Sequence, residues 1–199
     1  MSNKGLLIVV SGPSGAGKST VISRVMRDDP DCVFSISATT RPPRGAERDG
    51  VEYYFVGRER FEQMIEKGEL LEHAEYVGNY YGTPKAPVMK SIDKGKNVIF
   101  DIEVQGAMQI KRQCPEAILI FVVPPRFSDI EKRLRGRKTD SEEKILARLE
   151  TARREYKQAE QYDYIVVNDD PELASDEMDA IITAEKCRTK YRKNFIFEV

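Results

Sequence analysis

The glycine-rich segment Ser11–Thr20, which reads SGPSGAGKST, constrains the fold more than any other feature of this sequence. It matches the pattern G-x-x-x-x-G-K-[ST], whose glycines let successive backbone N–H groups turn toward an anion. The apolar run Leu6–Val10 precedes it and has the pattern of a strand buried on both faces, and a helical pattern follows it. A strand, a phosphate loop and a helix in this order predict a nucleotide-binding site at the carboxyl end of a parallel strand.

The residue types in the loop indicate how it would hold the phosphates of a nucleotide. Lys18 places a full charge at the β- and γ-phosphates, and the Ser19 hydroxyl suits a Mg²⁺ ligand. An ordinary glycine-rich turn would account for the glycines but not for a lysine followed by a serine. The predicted nucleotide contacts are therefore Ser11, Gly12, Pro13, Ser14, Gly15, Ala16, Gly17, Lys18, Ser19 and Thr20.

The rest of the chain alternates short apolar runs with longer helical patterns, which predicts an α/β fold with a mainly parallel sheet. The further predicted strands are Cys32–Ile36, Asn97–Asp101, Ala117–Val123 and Tyr164–Val167. The predicted helices are Lys18–Arg27, Arg58–Lys67, Val104–Arg112, Phe127–Leu134, Ser141–Glu160 and a last helix that opens at Asp170 and Pro171.

Residues 37–96 interrupt this alternation and predict a small α+β insertion with antiparallel strands near residues 70–77. The Arg41 and Arg44 guanidinium groups match phosphate oxygens in shape, and tyrosine pairs in the insertion add hydroxyl donors. The Glu72 carboxylate could accept from the N1–H and the exocyclic amine of a guanine. A solvated arginine loop and tyrosines packed in a core are the alternatives, and the sequence leaves both open.

Phosphoryl transfer needs a metal ligand and positive charge around the phosphates, and two further parts of the sequence offer them. Asp101 ends a buried strand, so its carboxylate could hold Mg²⁺ beside the phosphate loop. A capping role for the helix that follows is the alternative. Residues 126–138 contain six basic and two acidic residues, and we predict a positively charged lid there.

The composition excludes several classes of protein. Lysine and arginine number 32 against 33 aspartate and glutamate, so the net charge of −1 gives no overall positive field for nucleic acid. No apolar run approaches the ~20 residues that cross a bilayer. The cysteines are three in number and widely spaced, and His73 is the only histidine. We therefore predict reduced thiols, a cytoplasmic location and no histidine-based zinc site.

A series of motifs along the chain resembles the guanylate kinase family. In chain order they are SGPSGAGKST, S-x-T-T-R-P-P-R, DGVEYYFV, LEHAEYVGNYYGT, DIEVQG, R-L-x-x-R and VNDD. The resemblance covers residues 4–185. GNYYGT and T-T-R-x-P-R are its distinctive motifs, because the phosphate loop alone does not single out this family.

The resemblance implies a P-loop nucleoside monophosphate kinase fold, with a central five-stranded parallel sheet flanked by helices. The core would comprise residues 4–36 and 97–199, the GMP-binding insertion residues 37–96, and the basic lid residues of about 126–150. The implied activity is transfer of the γ-phosphoryl group of MgATP to GMP, and to dGMP, with ADP and GDP as the products with GMP. ATP and GMP would be the small-molecule partners, with neither nucleic acid nor a membrane involved.

The resemblance also implies roles for individual residues around the acceptor. The guanine would be contacted by Ser37, Glu72 and Thr83. The GMP phosphate would be held by Arg41, Arg44, Tyr53 and Tyr81. Glu103 would lie close to the same pocket, and Asp101 would help to position Mg²⁺ and the acceptor. Tyr54 and Tyr80 should face the opposite side of their strands, which predicts a structural role.

The implied triphosphate site adds residues from the second half of the chain. Mobile arginines would close over the transferring phosphoryl group, namely Arg133, Arg137 and Arg148. Asn168 would lie beside the adenine of ATP, and Ser19 and Asp101 would hold Mg²⁺, partly through water. The residues implied in catalysis are Lys18, Arg41, Asp101, Arg137 and Arg148. A basic, solvated helix face is the alternative for the mobile arginines.

Two other functions remain open at this stage. Domains of this family also serve as protein-interaction modules in membrane-associated scaffolds, where the phosphate loop is usually damaged. A kinase acting on another monophosphate, or on a phosphorylated sugar, would also need a triphosphate loop and a second anion pocket.

Overall fold

The computed structural model describes residues 4–136 and 141–196. Its strands are β1 (Leu7–Ser11), β2 (Cys32–Phe34), β3 (Ala38–Thr39), β4 (Tyr54–Phe55), β5 (Leu70–Tyr76), β6 (Asn79–Pro84), β7 (Asn97–Asp101), β8 (Ile118–Val123) and β9 (Tyr164–Val167). Its helices are α1 (Lys18–Asp28), α2 (Arg58–Glu66), α3 (Lys85–Asp93), α4 (Val104–Gln113), α5 (Phe127–Gly136), α6 (Glu142–Tyr156), α7 (Pro171–Lys186) and α8 (Thr189–Arg192). Short 3₁₀ turns occur at Ala159–Gln161 and Lys193–Phe195.

A five-stranded parallel sheet with the order β2-β7-β1-β8-β9 forms the centre of the fold, as predicted. Strands β1 and β8 are buried along their whole length, which their nearly continuous apolar sequences allow. Alternate residues of β1 serve different cores because side chains alternate across a strand. Ile8 and Val10 pack with residues of α1 and α7, whereas Val9 packs with residues of α3 and α4.

The strand order decides where the chemistry-bearing residues meet. Strand β7 lies directly beside β1, and Val10 is the register partner of Asp101. The carboxyl ends of parallel strands meet at the same edge of a sheet. The phosphate loop that follows β1 and the carboxylate that ends β7 are therefore neighbours, although most of the first half of the chain separates them.

Residues 37–84 contribute a second, four-stranded sheet with the order β4-β3-β6-β5. Strand β6 pairs antiparallel with both β3 and β5, whereas β3 and β4 are parallel. Helix α2 covers this sheet, and Phe61 and Met64 of α2 are buried in one cluster with Ala38 and Leu70. The predicted α+β character of the insertion and its antiparallel strands are confirmed.

Helix α3 was not predicted from the sequence. It follows Pro84 with no side-chain cap and no acidic residue in its first turn, so the local signals for a helix start are weak. Val88 and Ile92 lie one helical turn apart and are buried in the same cluster as Val98 of β7. Packing on the central sheet, rather than a local start signal, stabilises this helix.

The other predicted helices and strands agree with the structure to within a few residues at their ends. Ser141 caps α6, as predicted, because its Oγ accepts a hydrogen bond from the Lys144 N–H at 3.4 Å. The helix stops at Tyr156 instead of Glu160, and a 3₁₀ turn follows. The predicted strand over residues 32–36 ends earlier, at Phe34.

Within the described residues, no helix combines the length and the apolar composition that a membrane span requires. The cysteines Cys32, Cys114 and Cys187 are all unpaired. Burial raises the pKa of the Cys32 thiol to about 12, so this thiol stays protonated at neutral pH.

Candidate active site

The phosphate loop requires glycine at two of its positions. Gly12 has a φ of 147°, and a Cβ atom built there would lie 2.1 Å from the backbone oxygen of Val122. Gly17 has a φ of 88°, and its Cβ would lie 2.3 Å from Nδ2 of Asn168. Any side chain at either position would displace the loop from the strand and side chain against which it packs.

Arg133 and Asn168 hold the carbonyl groups of this loop, and we call them the loop clamp. Arg133 Nη1 donates to the oxygens of Gly15 at 3.3 Å and Ala16 at 3.2 Å, and Asn168 Nδ2 donates to Ala16 at 2.7 Å. Arg133 Nη2 also donates to the backbone oxygen of Asn168 at 3.1 Å. The C=O and N–H of a trans peptide point in opposite directions, so a fixed Ala16 carbonyl directs the Gly17 N–H away from the clamp.

Lys18, Ser19 and Asp101 lie together at the end of the loop, as predicted from the sequence. Lys18 Nζ donates to the Gly12 oxygen at 2.8 Å and lies 3.9 Å from Asp101 Oδ1. Ser19 Oγ donates to Asp101 Oδ2 at 3.5 Å. Burial raises the pKa of the Asp101 carboxyl, and the nearby Lys18 charge opposes that shift.

The oxygen atoms of Ser19 and Asp101 fit a magnesium ion. A hydroxyl and a carboxylate are hard ligands, and Mg²⁺ is usually bound through one or two such groups, with phosphates and water as its other ligands. Among residues 4–136 and 141–196, no group of three or more His, Cys, Asp or Glu side chains could hold a metal ion. The Ser19–Asp101 pair suits an ion whose other ligands are phosphates and water.

Glu72 and Thr83 form a buried polar pair between β5 and β6. Their exposed fractions are 6% and 0%, and Thr83 Oγ1 donates to Glu72 Oε1 at 2.7 Å. Burial raises the pKa of the Glu72 carboxyl, and the Thr83 hydrogen bonds partly oppose this shift. A Cβ at Gly106, in the first turns of α4, would lie 3.1 Å from Glu72 Oε2, so glycine leaves room beside the carboxylate.

Arg41, Tyr53 and Tyr81 form a second polar cluster in the inserted lobe. The Arg41 side chain is only 7% exposed, and its Cζ lies 5.3 Å from the centroid of the Tyr53 ring. The rings of Tyr53 and Tyr81 meet edge to face with their centroids 6.1 Å apart. The family resemblance implied these three residues as ligands of one phosphate; the structure brings them together, and their binding of a phosphate stays a prediction. Arg44 is exposed on the same loop.

Sequence reasoning did not identify Glu47, which also belongs to this cluster. Its carboxylate pairs with the Arg41 guanidinium through both oxygens at 3.0 Å. It also accepts the backbone N–H of Arg44 at 2.7 Å. Glu47 lies three residues after Arg44, and at this spacing a glutamate side chain can reach back to a free backbone N–H. That spacing was the available sequence signal.

The remaining predicted site residues occupy varied positions. Ser37 is half-buried directly before β3, Glu103 is exposed directly before α4, and Arg148 is half-buried in α6. Arg137 lies outside the described residues. The contacts predicted for these four residues with substrates stay predictions.

Tyr54 and Tyr80 pack in the core of the lobe, in agreement with their predicted structural role. The Tyr80 ring stacks on Phe61 with centroids 5.3 Å apart, and Tyr54 packs against the same cluster. The neighbouring Tyr53 and Tyr81 face the opposite side, as the alternation of side chains along a strand requires.

These observations define a class of protein. A parallel sheet presents a phosphate loop and a carboxylate on adjacent strands, and an inserted lobe contains both a cluster of arginine and tyrosine and a buried glutamate. One site suits a triphosphate and the other suits a smaller phosphorylated molecule. The fold is that of a P-loop nucleoside monophosphate kinase.

Comparisons with known proteins identify the family within this class. A family model described as guanylate kinase matches residues 4–185. A guanylate kinase from Desulfitobacterium hafniense (strain Y51) is 52% identical over 98% of both chains, and one from Clostridioides difficile (strain 630) is 47% identical over 98% of this chain and 95% of its own length. The crystal structure of guanylate kinase from Anaplasma phagocytophilum superposes with a TM-score of 0.73 at 35% identity, covering 95% of this chain and 90% of that one. This chain belongs to the guanylate kinase family.

Proposed function

We infer that this chain is an enzyme that transfers the γ-phosphoryl group of ATP to GMP and releases ADP and GDP. The observation that carries this function is the presence of two separate polar sites suited to anions, one at the end of the parallel sheet and one on the inserted sheet. The phosphate loop with Lys18 suits a triphosphate, whereas the Arg41 cluster suits a monophosphate and lies in the same lobe as a buried carboxylate, Glu72. Membership of the guanylate kinase family supports the same reaction.

The donor nucleotide would bind along the phosphate loop. The backbone N–H groups that the loop clamp orients would donate to the phosphates, at the positive end of α1. Lys18 would leave the Gly12 oxygen, now 2.8 Å away, for the β- and γ-phosphate oxygens. Ser19 and Asp101 would hold Mg²⁺, directly or through water, and the bound ion would supply neutralisation of the phosphate charge.

The loop clamp contributes to donor binding through the backbone. Arg133 and Asn168 hold the oxygens of Gly15 and Ala16, so they keep the loop in its anion-binding conformation. Direct contact of Arg133 with the triphosphate, and of Asn168 with the adenine, stays a prediction.

The acceptor base would be read by Glu72 and Thr83. An ionised Glu72 carboxylate can accept from both N1–H and the exocyclic amine of guanine, whereas adenine presents an acceptor at N1. Ser37 would add a hydroxyl to the same edge. Because nothing in this recognition involves the ribose 2′-hydroxyl, we propose that dGMP is an acceptor as well.

The acceptor phosphate would be bound by Arg41 and Arg44 together with the hydroxyl groups of Tyr53 and Tyr81. Guanidinium forks match phosphate oxygens, and tyrosine hydroxyls donate without adding charge. The attacking atom is a phosphate oxygen that is already anionic, so the reaction needs no strong general base. Positioning and positive charge around the transferring group, to which we assign Arg137 and Arg148 as well, would carry the rate.

A coupled assay of ADP release tests this function. The purified chain is supplied with MgATP and, in separate reactions, with GMP, dGMP, AMP, UMP or no acceptor. We expect fast ADP release with GMP and dGMP only. A higher rate with AMP or UMP would favour a kinase for another monophosphate, and no release with any acceptor would favour a protein-interaction module.

The intact phosphate loop favours the enzyme over the interaction module. Lys18, Ser19 and Asp101 are all present and adjacent, and the glycines that the loop geometry requires are in place. The cytoplasmic location suggested by the cysteines stays a prediction.

A further inference from the structure

Glu47 makes an unusually complete set of contacts with the cluster proposed to bind the acceptor phosphate. Arg41 Nη1 donates to Glu47 Oε2 and Arg41 Nη2 donates to Glu47 Oε1, each at 3.0 Å. The Arg41 side chain is 7% exposed and that of Glu47 is 23% exposed. This ion pair is therefore shielded from water on most sides, and its two-pronged geometry restricts the guanidinium to one orientation.

The hydrogen bonds of Arg41 show which of its N–H donors remain available for a ligand. A guanidinium carries five N–H donors, two on each terminal nitrogen and one on Nε. Glu47 takes one from each terminal nitrogen, and the Pro42 oxygen accepts from Nη1 at 2.7 Å. Among the hydrogen bonds of the described residues, these contacts leave the Nε–H and the second Nη2–H, which lie on the same edge of the group. That edge can hold a second oxyanion through two parallel hydrogen bonds.

Aromatic residues of the cluster also surround the Arg41 guanidinium. The Arg41 Cζ lies 5.3 Å from the Tyr53 ring centroid and 5.9 Å from that of Phe55. The Tyr81 hydroxyl lies close enough to interact with the same guanidinium. The guanidinium is thus held by aromatic rings in addition to the carboxylate.

Glu47 also fixes the loop that carries the second arginine. Its Oε2 accepts the backbone N–H of Arg44 at 2.7 Å, and its own N–H donates to the Arg44 oxygen at 3.1 Å. These two bonds close the turn from Arg44 to Glu47. The hydrogen bonds that the carboxylate accepts from Arg41 and Arg44 hold the pKa of Glu47 below its usual range, so the group stays ionised.

We propose that Glu47 is a positioning residue for the acceptor. It holds the two terminal nitrogens of the Arg41 guanidinium so that the Nε–Nη2 edge faces the phosphate of GMP. This inference rests on the proposed function. The alternative is that Glu47 occupies Arg41 in place of the phosphate and must be displaced. The open edge favours positioning, because the carboxylate and a phosphate can then share one guanidinium.

The test replaces Glu47 by glutamine and measures the KM of both substrates. Glu47→Gln keeps the shape but loses one acceptor and the charge, so we expect the KM for GMP to rise about tenfold and the KM for ATP to change less than about twofold. Glu52→Gln is the matched control, since Glu52 lies in the same loop region and accepts the backbone N–H of Arg48 at 2.6 Å. The control should leave both values unchanged.

Inhibition by guanosine distinguishes an effect on the phosphate ligands from a general disruption of the inserted lobe. Guanosine has the base but no phosphate, so its inhibition constant should be the same for the wild type and Glu47→Gln. In an Arg41→Ala background, Glu47→Gln should add little further effect, because the residue through which it acts is gone. If Glu47→Gln does not fold, Glu47→Asp is measured in the same way, with the same expected rise in the KM for GMP.

Three results would overturn the proposal. A fall in the KM for GMP would show that Glu47 competes with the phosphate, and an unchanged KM would show that it has no part in binding. An equal loss of guanosine affinity would show a merely structural role. A wild-type chain that forms no GDP would instead overturn the proposed function, so the two failures are distinguishable.

Discussion

Single side chains set the charge and the hydrogen-bonding character of both sites. Lys18 supplies the only full positive charge within the phosphate loop, and it lies within 3.9 Å of the Asp101 carboxylate. Glu72 supplies a buried acceptor in the other site, next to the Thr83 hydroxyl. Replacing Lys18 by a neutral residue should therefore slow phosphoryl transfer, and replacing Glu72 should change the choice of acceptor base.

Lys18→Ala should lower kcat by roughly 10³-fold, because it removes the charge that we propose stabilises the transferring phosphoryl group. The measurement is the steady-state rate of GDP formation at saturating ATP and GMP. Lys90→Ala, at an exposed position in α3, is the control and should keep the wild-type rate. An unchanged kcat in Lys18→Ala would remove the phosphate loop from the catalytic machinery.

The KM for GMP should depend on pH through Glu72. Burial raises the pKa of this carboxyl above its ordinary range, and protonation would put an O–H donor opposite the guanine N–H donors. The KM for GMP should therefore rise as the pH falls, and the rise should begin above the pH range in which an ordinary glutamate takes up a proton. Initial rates over a series of pH values, with the KM for ATP measured in parallel, show whether the effect is confined to the acceptor.

Glu72→Gln should flatten that pH dependence and relax the choice of base. A glutamine amide presents a donor where the carboxylate presents an acceptor, so discrimination between GMP and AMP should fall by about 2 kcal/mol. The ratio of kcat/KM for the two acceptors measures it. Guanine selectivity that persists in this variant would show that another group reads the base.

At the scale of secondary structure, the conformation of the loop between β1 and α1 depends on the elements that pack against it. Gly12 packs its backbone against β8, and Gly17 packs against Asn168, which directly follows β9. Arg133 reaches the same loop from α5. Residues from three separate parts of the fold therefore hold the loop in its conformation.

Gly12→Ala should destabilise the fold by about 3 kcal/mol, because the new Cβ combines a strained φ with a clash against backbone. The Cβ would lie 2.1 Å from the Val122 oxygen, which cannot move without disturbing β8. Chemical denaturation measures the free energy of unfolding. Gly136→Ala is the control, since a Cβ there meets no described atom within 4 Å and should change stability little. Equal stability of the two variants would contradict the packing described for the loop.

At the scale of the whole molecule, helix α4 joins the two sheets. Strand β5 is an edge strand of the second sheet. The side-chain amide of Gln109 forms hydrogen bonds with its backbone, where a further strand would otherwise pair. Gln109 Nε2 donates to the His73 oxygen at 3.0 Å, and its Oε1 accepts the His73 N–H at 3.1 Å. Leu71, also in β5, is buried in the cluster of the central sheet. The strand that carries Glu72 is thus anchored to the core.

Gln109→Leu should destabilise the chain by about 2 kcal/mol, because it leaves the N–H and C=O of His73 without these partners. The KM for GMP should rise as well, since Glu72 precedes His73, while the KM for ATP should change little. Gln63→Leu, at an exposed position in α2, is the control. A variant with wild-type stability and KM values would show that the lobe does not depend on this link.

The sequence by itself determined the features that depend on neighbouring residues in the chain. The glycines, lysine and serine of the phosphate loop are contiguous, so their pattern predicts both the turn and the anion site. Continuous apolar runs predicted the buried strands, and Ser141 and Pro171 predicted helix starts, because capping and backbone restriction act locally. Helix α3 lacked such signals, and the sequence did not reveal it.

The tertiary structure alone decided which distant residues meet. The strand order places Asp101 beside the phosphate loop, and the pairing of β3 with β6 brings Tyr81 to the loop of Arg41. The hydrogen bonds from Arg133 to the carbonyl groups of the phosphate loop have no counterpart in local sequence patterns. The physical reason is that hydrogen bonds and ion pairs require atoms within a few ångströms, and only the packing of whole elements sets such distances between residues far apart in the chain.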